Sequence, residues 1–142
     1  MARFNKFDSF VEALAEKVHN LGSDTLKIAL TNTAPGASDT GFLPGSSHPP
    51  PTNTNGYTAG GHAVTVSSSS QTGGTYKLVI DDLVFTASGG DLGPFRYVIL
   101  YNDTAPSDEL IGYWDYGASL TLATTETFTV DFNATNGGLQ IV

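Results

Sequence analysis

Apolar positions at the start of the chain recur at helical spacing and then switch to alternation. In FDSFVEALAEKVHNLGS, Phe10, Val11, Leu14, Val18 and Leu21 fall at three- and four-residue steps, which predicts an amphipathic helix over 9–21. Ser9 followed by Glu12 has capping-box spacing, and Gly22 is placed to stop the helix in the left-handed region. In TLKIALTNTAP the period drops to two. Leu26, Ile28 and Leu30 point one way and Lys27, Ala29 and Thr31 the other, as in a strand.

Residues 32–62 follow as a long polar loop holding five of the seven prolines, including the run His48, Pro49, Pro50, Pro51. Such a length predicts an ordered binding loop or an extended arm, set against a surface insertion with no role of its own. From residue 63 onward everything reads as strands and tight turns. HAVTVSSS alternates, QTGG turns the chain, and TYKLVI places Tyr76, Leu78 and Ile80 on one face. The phase slips at Asp81-Asp82 before LVFTA resumes, which fits a bulge or a strand passing between two sheets. PFRYVILYN is apolar on both faces and so predicts a central strand. LIGYWDYG, SLTL, ETFTVDF and LQIV complete the set. The expected fold is all-β: an antiparallel β-sandwich or jelly-roll-like barrel of about eight strands with one N-terminal helix, forming a single domain over 1–142.

Composition narrows the function. Cysteine is absent, which removes disulfides and thiolate chemistry. No stretch approaches the ~18 apolar residues of a membrane span, and no apolar signal-peptide core opens the chain, so a protein made in a cytoplasm with no membrane partner is expected. Six basic residues face fourteen acidic ones, and the whole net charge of −8 lies after residue 27, where only Lys77 and Arg96 are basic. Such a body repels phosphate backbones, so no nucleic-acid partner is expected.

Few residues carry recognisable chemistry. His19, His48 and His62 show no zinc-ligand spacing, and no G-x-S-x-G elbow is present, so no catalytic or metal site and no cofactor is expected and the chain reads as non-enzymatic. Asp81, Asp82, Asp91, Asp103, Asp108 and Glu109 sit in turns; calcium is one reading, turn formation the plainer one. Arg96, inside the central strand, is expected to pair with a cross-strand acid, Asp82 or Asp115. Tyr97, Tyr101, Tyr113, Trp114 and Tyr116 form the most informative cluster. Alternation puts Trp114 and Tyr116 on one face and Tyr113 on the other, so at least one ring is expected at a surface, stacking a sugar or meeting a partner. The candidate partner contacts are Phe10, Val11, Leu14 and Val18 on the helix, Pro49, Pro50 and Pro51 in the loop, and Tyr113, Trp114 and Tyr116.

The segments FNKFDSFVEALAEKVHNLGSDTLKIALTNTAP, GGTYKLVI, FTASGG, GPFRYVILYNDT and LIGYWDYG resemble a group of small proteins encoded among the virion structural genes of tailed bacteriophages. The likeness covers most of the chain apart from the Pro-rich loop. It rests on structural blocks and transfers no binding residue. It implies a virion component, and a capsid cement or decoration protein fits best: a dimer or trimer docked on the major capsid protein, at the capsid surface of a particle assembled in a bacterial cytoplasm. A tail or neck component and a carbohydrate-binding module are the alternatives.

Overall fold

The structure, a computed structural model, describes residues 2–142. Its elements are β1 (Phe4–Lys6), α1 (Ser9–Ala15), β2 (Leu26–Thr31), β3 (Asn53–Thr54), β4 (His62–Ala63), β5 (Val66–Thr72), β6 (Thr75–Ile80), β7 (Leu83–Thr86), β8 (Leu92–Asn102), β9 (Leu110–Leu122), β10 (Thr127–Val130) and β11 (Leu139–Ile141). The fold is all-β and sandwich-like, with every strand pair antiparallel.

One layer is a single sheet in the order β1-β9-β8-β2-β4, with β3 pairing the start of β8. The other layer is split into a three-stranded sheet, β11-β6-β5, and a two-stranded one, β10-β7. Chain phase explains the split. Leaving β6 at Ile80 and entering β7 at Leu83, the backbone crosses from one piece to the other, as the break at Asp81-Asp82 predicts. Between the layers lie Leu26, Ile28 and Leu30 of β2, Val98 and Leu100 of β8, and Ile111 of β9, against Leu78, Ile80, Phe85 and Leu139. Burial of this much aliphatic and aromatic surface, at roughly 25 cal/mol per Å², is what drives the two layers together.

The central strand is buried on both sides, as its composition requires. Ile99 and Tyr101 of β8 face away from the main core and join Phe7, Ala29, Phe42 and Leu110 in a second cluster. Phe42 comes from the long loop, which folds back over the sheet as a strap. Its ring stacks on Tyr101 at 4.3 Å and 13°. Gly41 bridges Glu109, and Leu110 N–H donates to Thr40 O at 2.9 Å. His48, fully buried, locks the strap: Leu43 N–H donates to Nδ1 at 3.1 Å, so Nε2 carries the proton and donates to Asp39 Oδ2 at 3.0 Å. Further on, Leu30 N–H lies past the end of the β2–β4 pairing and donates to the Tyr57 hydroxyl at 3.0 Å. Burial pushes that hydroxyl up to about 12.

The helix is shorter than its periodicity suggests. It ends at Ala15, because Lys17 takes a left-handed φ of 68°. Val18 N–H then reaches Ala13 O at 2.9 Å and Lys17 N–H reaches Leu14 O at 3.3 Å, a Schellman closure built without glycine. Gly22 therefore does not stop the helix, and His19 lies beyond it. Nor does the capping box form. Helical geometry already begins at Asp8, with no side-chain cap, and Ser9 sits inside the helix. Phe10 is buried and Leu14 packs on the core, while Val11 is 54% exposed.

Replacing Tyr57 with Phe keeps the ring and removes the one partner of the Leu30 amide. A loss of about 1–3 kcal/mol is expected, the penalty of an unsatisfied buried donor, measured as a lower urea midpoint with an unchanged slope.

Candidate functional site

An aromatic groove opens where the second layer is interrupted. It has a volume of about 350 Å³ and lies between the stretch 128–133, Gly137 and Gly138 on one side and Phe4, Val98, Trp114 and Tyr116 of the continuous sheet on the other. The rings brace one another. Phe4 sits 5.2 Å from Trp114, Trp114 meets Phe132 edge-on at 5.7 Å, and Tyr116 meets Phe128 edge-on at 5.6 Å. Gly112, the register partner of Lys6, makes room for the Phe4 ring, since a Cβ there would collide with it. Besides the Tyr116 hydroxyl and the Trp114 indole N–H, Asp131, Asn133 and Thr129 bring polar side chains to the lining.

Tyr116 shares Trp114's face by alternation and stands at the start of a bulge in β9. Along β8 the register moves two residues, from Phe95 to Tyr97, while along β9 it moves from Leu120 to Asp115, so residues 116–119 loop out of the ladder. Gly117, at φ 98°, supplies the left-handed turn. Asp115 holds the bulge by accepting from Gly117 N–H at 2.8 Å, and Arg96 clamps Asp115 through Nε at 2.8 Å and Nη2 at 3.1 Å. This is the cross-strand pair expected of Arg96, with Asp115 as the acid. The two hydrogen bonds from Arg96, then the Gly117 amide, hold the Asp115 carboxyl below the usual carboxylate range, and the same pair raises Arg96. Tyr116 is left 53% exposed at the groove mouth.

The candidate contact residues divide among different places. Trp114 and Tyr116 share the groove, whereas Tyr113 lies on the opposite face, 5.3 Å from Phe7. Pro51 is buried and Pro49 and Pro50 half-buried, so the proline run packs on the body. Of the helix residues only Val11 is largely exposed; Phe10 is buried, and Leu14 and Val18 are half-buried. Sequence reasoning missed Phe4, Phe128, Phe132 and Asp131 as groove residues. Phe128 alternates with polar neighbours and was visible as a strand residue, but nothing local reveals that three distant segments meet.

All three histidines have structural work. His48 is described above. His62 accepts from Thr58 N–H at 3.2 Å and lies 4.8 Å from the Phe85 ring. Buried His19 accepts at Nδ1 from Asn102 Nδ2 at 2.9 Å, and Asn102 also donates to Asp24 Oδ2 at 2.7 Å. Burial holds the His19 imidazole below its ordinary value against the opposing pull of Glu109 and Asp24; burial lowers His62 as well. Among the described residues no group of three or more His, Asp or Glu side chains is arranged to hold a metal ion. Among the described residues no helix is long and apolar enough to cross a membrane. Comparison with protein-family models, with curated proteins and with solved structures finds no match.

Two expectations follow. In Arg96→Met the Asp115 carboxyl should titrate closer to the ordinary range and the Gly117 amide should exchange faster, both read by NMR; an unchanged midpoint would show that the clamp is idle. For His19, the folded value lies below the unfolded one, so the unfolded chain takes up the proton first. Stability is therefore complete above the ordinary value of 6.5 and declines as pH falls through it. The urea midpoint should drop between pH 7 and 5, and His19→Gln should flatten that drop.

Proposed function

We propose that the chain is a non-enzymatic structural protein of a tailed-bacteriophage particle, a capsid cement or decoration protein that docks on the major capsid shell and associates with copies of itself as a dimer or trimer. One observation carries the docking reading: an open aromatic groove, floored by the rigid central sheet, on a body whose charge is −8. Exposed aromatic clusters of this kind on otherwise polar surfaces are where partners bind. Three of the blocks that carry the resemblance to virion proteins hold the groove-floor residues Phe4, Val98, Trp114 and Tyr116. An acidic body also suits the outside of a particle packed with DNA. Engagement of every histidine in holding loops or strands agrees with a scaffold role. Repetition over a shell lattice lets individually weak contacts add.

Within the virion, a tail or neck position is the alternative. A carbohydrate-binding role has one specific observation in its favour, the half-exposed Tyr116 ring beside Trp114 with Asn133 and Asp131 in the same lining.

The test is co-sedimentation of the purified chain with empty, expanded capsids that lack it, with isolated tails as control. Saturable binding to heads, weakened by Tyr116→Ser, is the expected result. Binding to tails alone would move the protein to the tail. Binding to neither would sink the virion-docking reading, and a glycan screen would then test the sugar reading.

A further inference from the structure

We infer that the groove takes an extended segment of the docking partner, which adds as a strand to the open edge of β10 and carries lysine or arginine toward Asp131. The inference rests on the docking reading above and specifies its chemistry.

Backbone geometry comes first. Strand β10 has one hydrogen-bonded neighbour, β7. Phe128, Thr129 and Val130 all line the groove, although alternation allows only every second side chain to point to one face. The backbone of β10, and not one side-chain face alone, therefore borders the groove. The far side of β7 is approached at its C-terminal end by the long loop: Ser88 N–H donates to Asn55 O at 3.3 Å, and Gly56 lies so close to Thr86 O that a Cβ there would collide with it. Of the two strands, β10 is the one whose residues lie beside the aromatic floor with no further strand paired to it. An edge with unpaired N–H and C=O groups next to pockets for alternate side chains is the arrangement used in strand addition.

Charge selects the occupant. Asp131 is exposed, lines the groove and takes part in neither of the two ion pairs, Lys27–Asp103 and Arg96–Asp115, found among the described residues. Arg3 lies between Ala2 and Phe4, which line the groove, but does not line it itself. After residue 27 the only cations are Lys77, bonded to Thr135 O at 3.1 Å, and Arg96, clamped on Asp115. An acidic segment would meet an uncompensated carboxylate, and a second copy of a chain carrying −8 is a poor occupant for the same reason. An alternating apolar and basic segment satisfies the edge, the rings and Asp131 together, with cation–π contact to Tyr116 or Trp114 as a further gain.

The probe is an acetylated, amidated hexapeptide alternating lysine and valine, with its glutamate–valine counterpart as control, added to the full chain. Trp114 is the chain's single tryptophan, so its emission reports occupancy of the groove. The lysine peptide should shift that emission saturably, the glutamate peptide should not, and amide exchange in β10 should slow on binding. Asp131→Lys, at an exposed position, should weaken the lysine peptide by about five- to tenfold and admit the glutamate one. An equal response to both peptides, a response to neither, or binding without slower exchange in β10 would overturn the inference. Asp131→Lys is also carried through the capsid co-sedimentation. Retained head binding there would leave the docking reading standing and overturn the groove as its grip. A wild-type chain that binds the lysine peptide but no shell would sink the docking reading and leave the groove chemistry intact.

Discussion

The structure depends on one strand that must be covered twice. Strand β8 is apolar on both faces, and an apolar face left in water forfeits the stabilisation that would order it. The inner face, with Val98 and Leu100, is covered by the second layer; the outer face, with Ile99 and Tyr101, is covered by Phe7 and the strap that carries Phe42. Both covers come from far along the chain. The strap in turn needs its own fastenings. His48 with Asp39 at one end and Tyr57 with the Leu30 amide at the other give its polar groups partners where burial would otherwise leave them without any.

Covering β8 with a split layer has a consequence at the other end of the sandwich. A continuous second sheet would have closed over Trp114 and Phe4. Instead, the crossing at Asp81-Asp82 divides that sheet, and the chain after β10 does not fill the gap. Asp82 Oδ1 accepts from Phe132 N–H at 2.9 Å, which ties the crossing to the segment that borders the groove. The same residues that make the fold sandwich-like therefore also leave an aromatic surface uncovered. The β9 bulge enlarges it, and the Arg96–Asp115 clamp keeps Tyr116 presented there. A charge inside an apolar strand is in this way tied to the shape of a surface.

Local pattern carried much of the architecture. Alternation in TLKIALTNT and TYKLVI, the doubly apolar PFRYVILYN and the slip at Asp81-Asp82 correspond to β2, β6, β8 and the passage between sheets, because side-chain period and burial are read directly from neighbouring residues. The pairing of Arg96 with an acid was legible for a similar reason, although the choice of Asp115 over Asp82 was not. The helix was overread. Its apolar period continues to Leu21, but a left-handed Lys17 turns the chain so that His19 can reach Asn102, and that contact spans the fold.

By itself, then, the sequence determined the all-β class, the identity of the central strand, the placement of Trp114 and Tyr116 on one face, and the acidic character of the body. Each of these follows from residue type and spacing of a few positions. Only the tertiary structure decided that the Pro-rich loop is a strap packed on the outer face, that the second layer is interrupted, and that Phe4, Trp114, Tyr116, Phe128 and Asp131 meet at one groove. Those outcomes turn on which distant segments compete to cover the same apolar surface, and that competition is settled by packing over the whole chain, not by any local pattern.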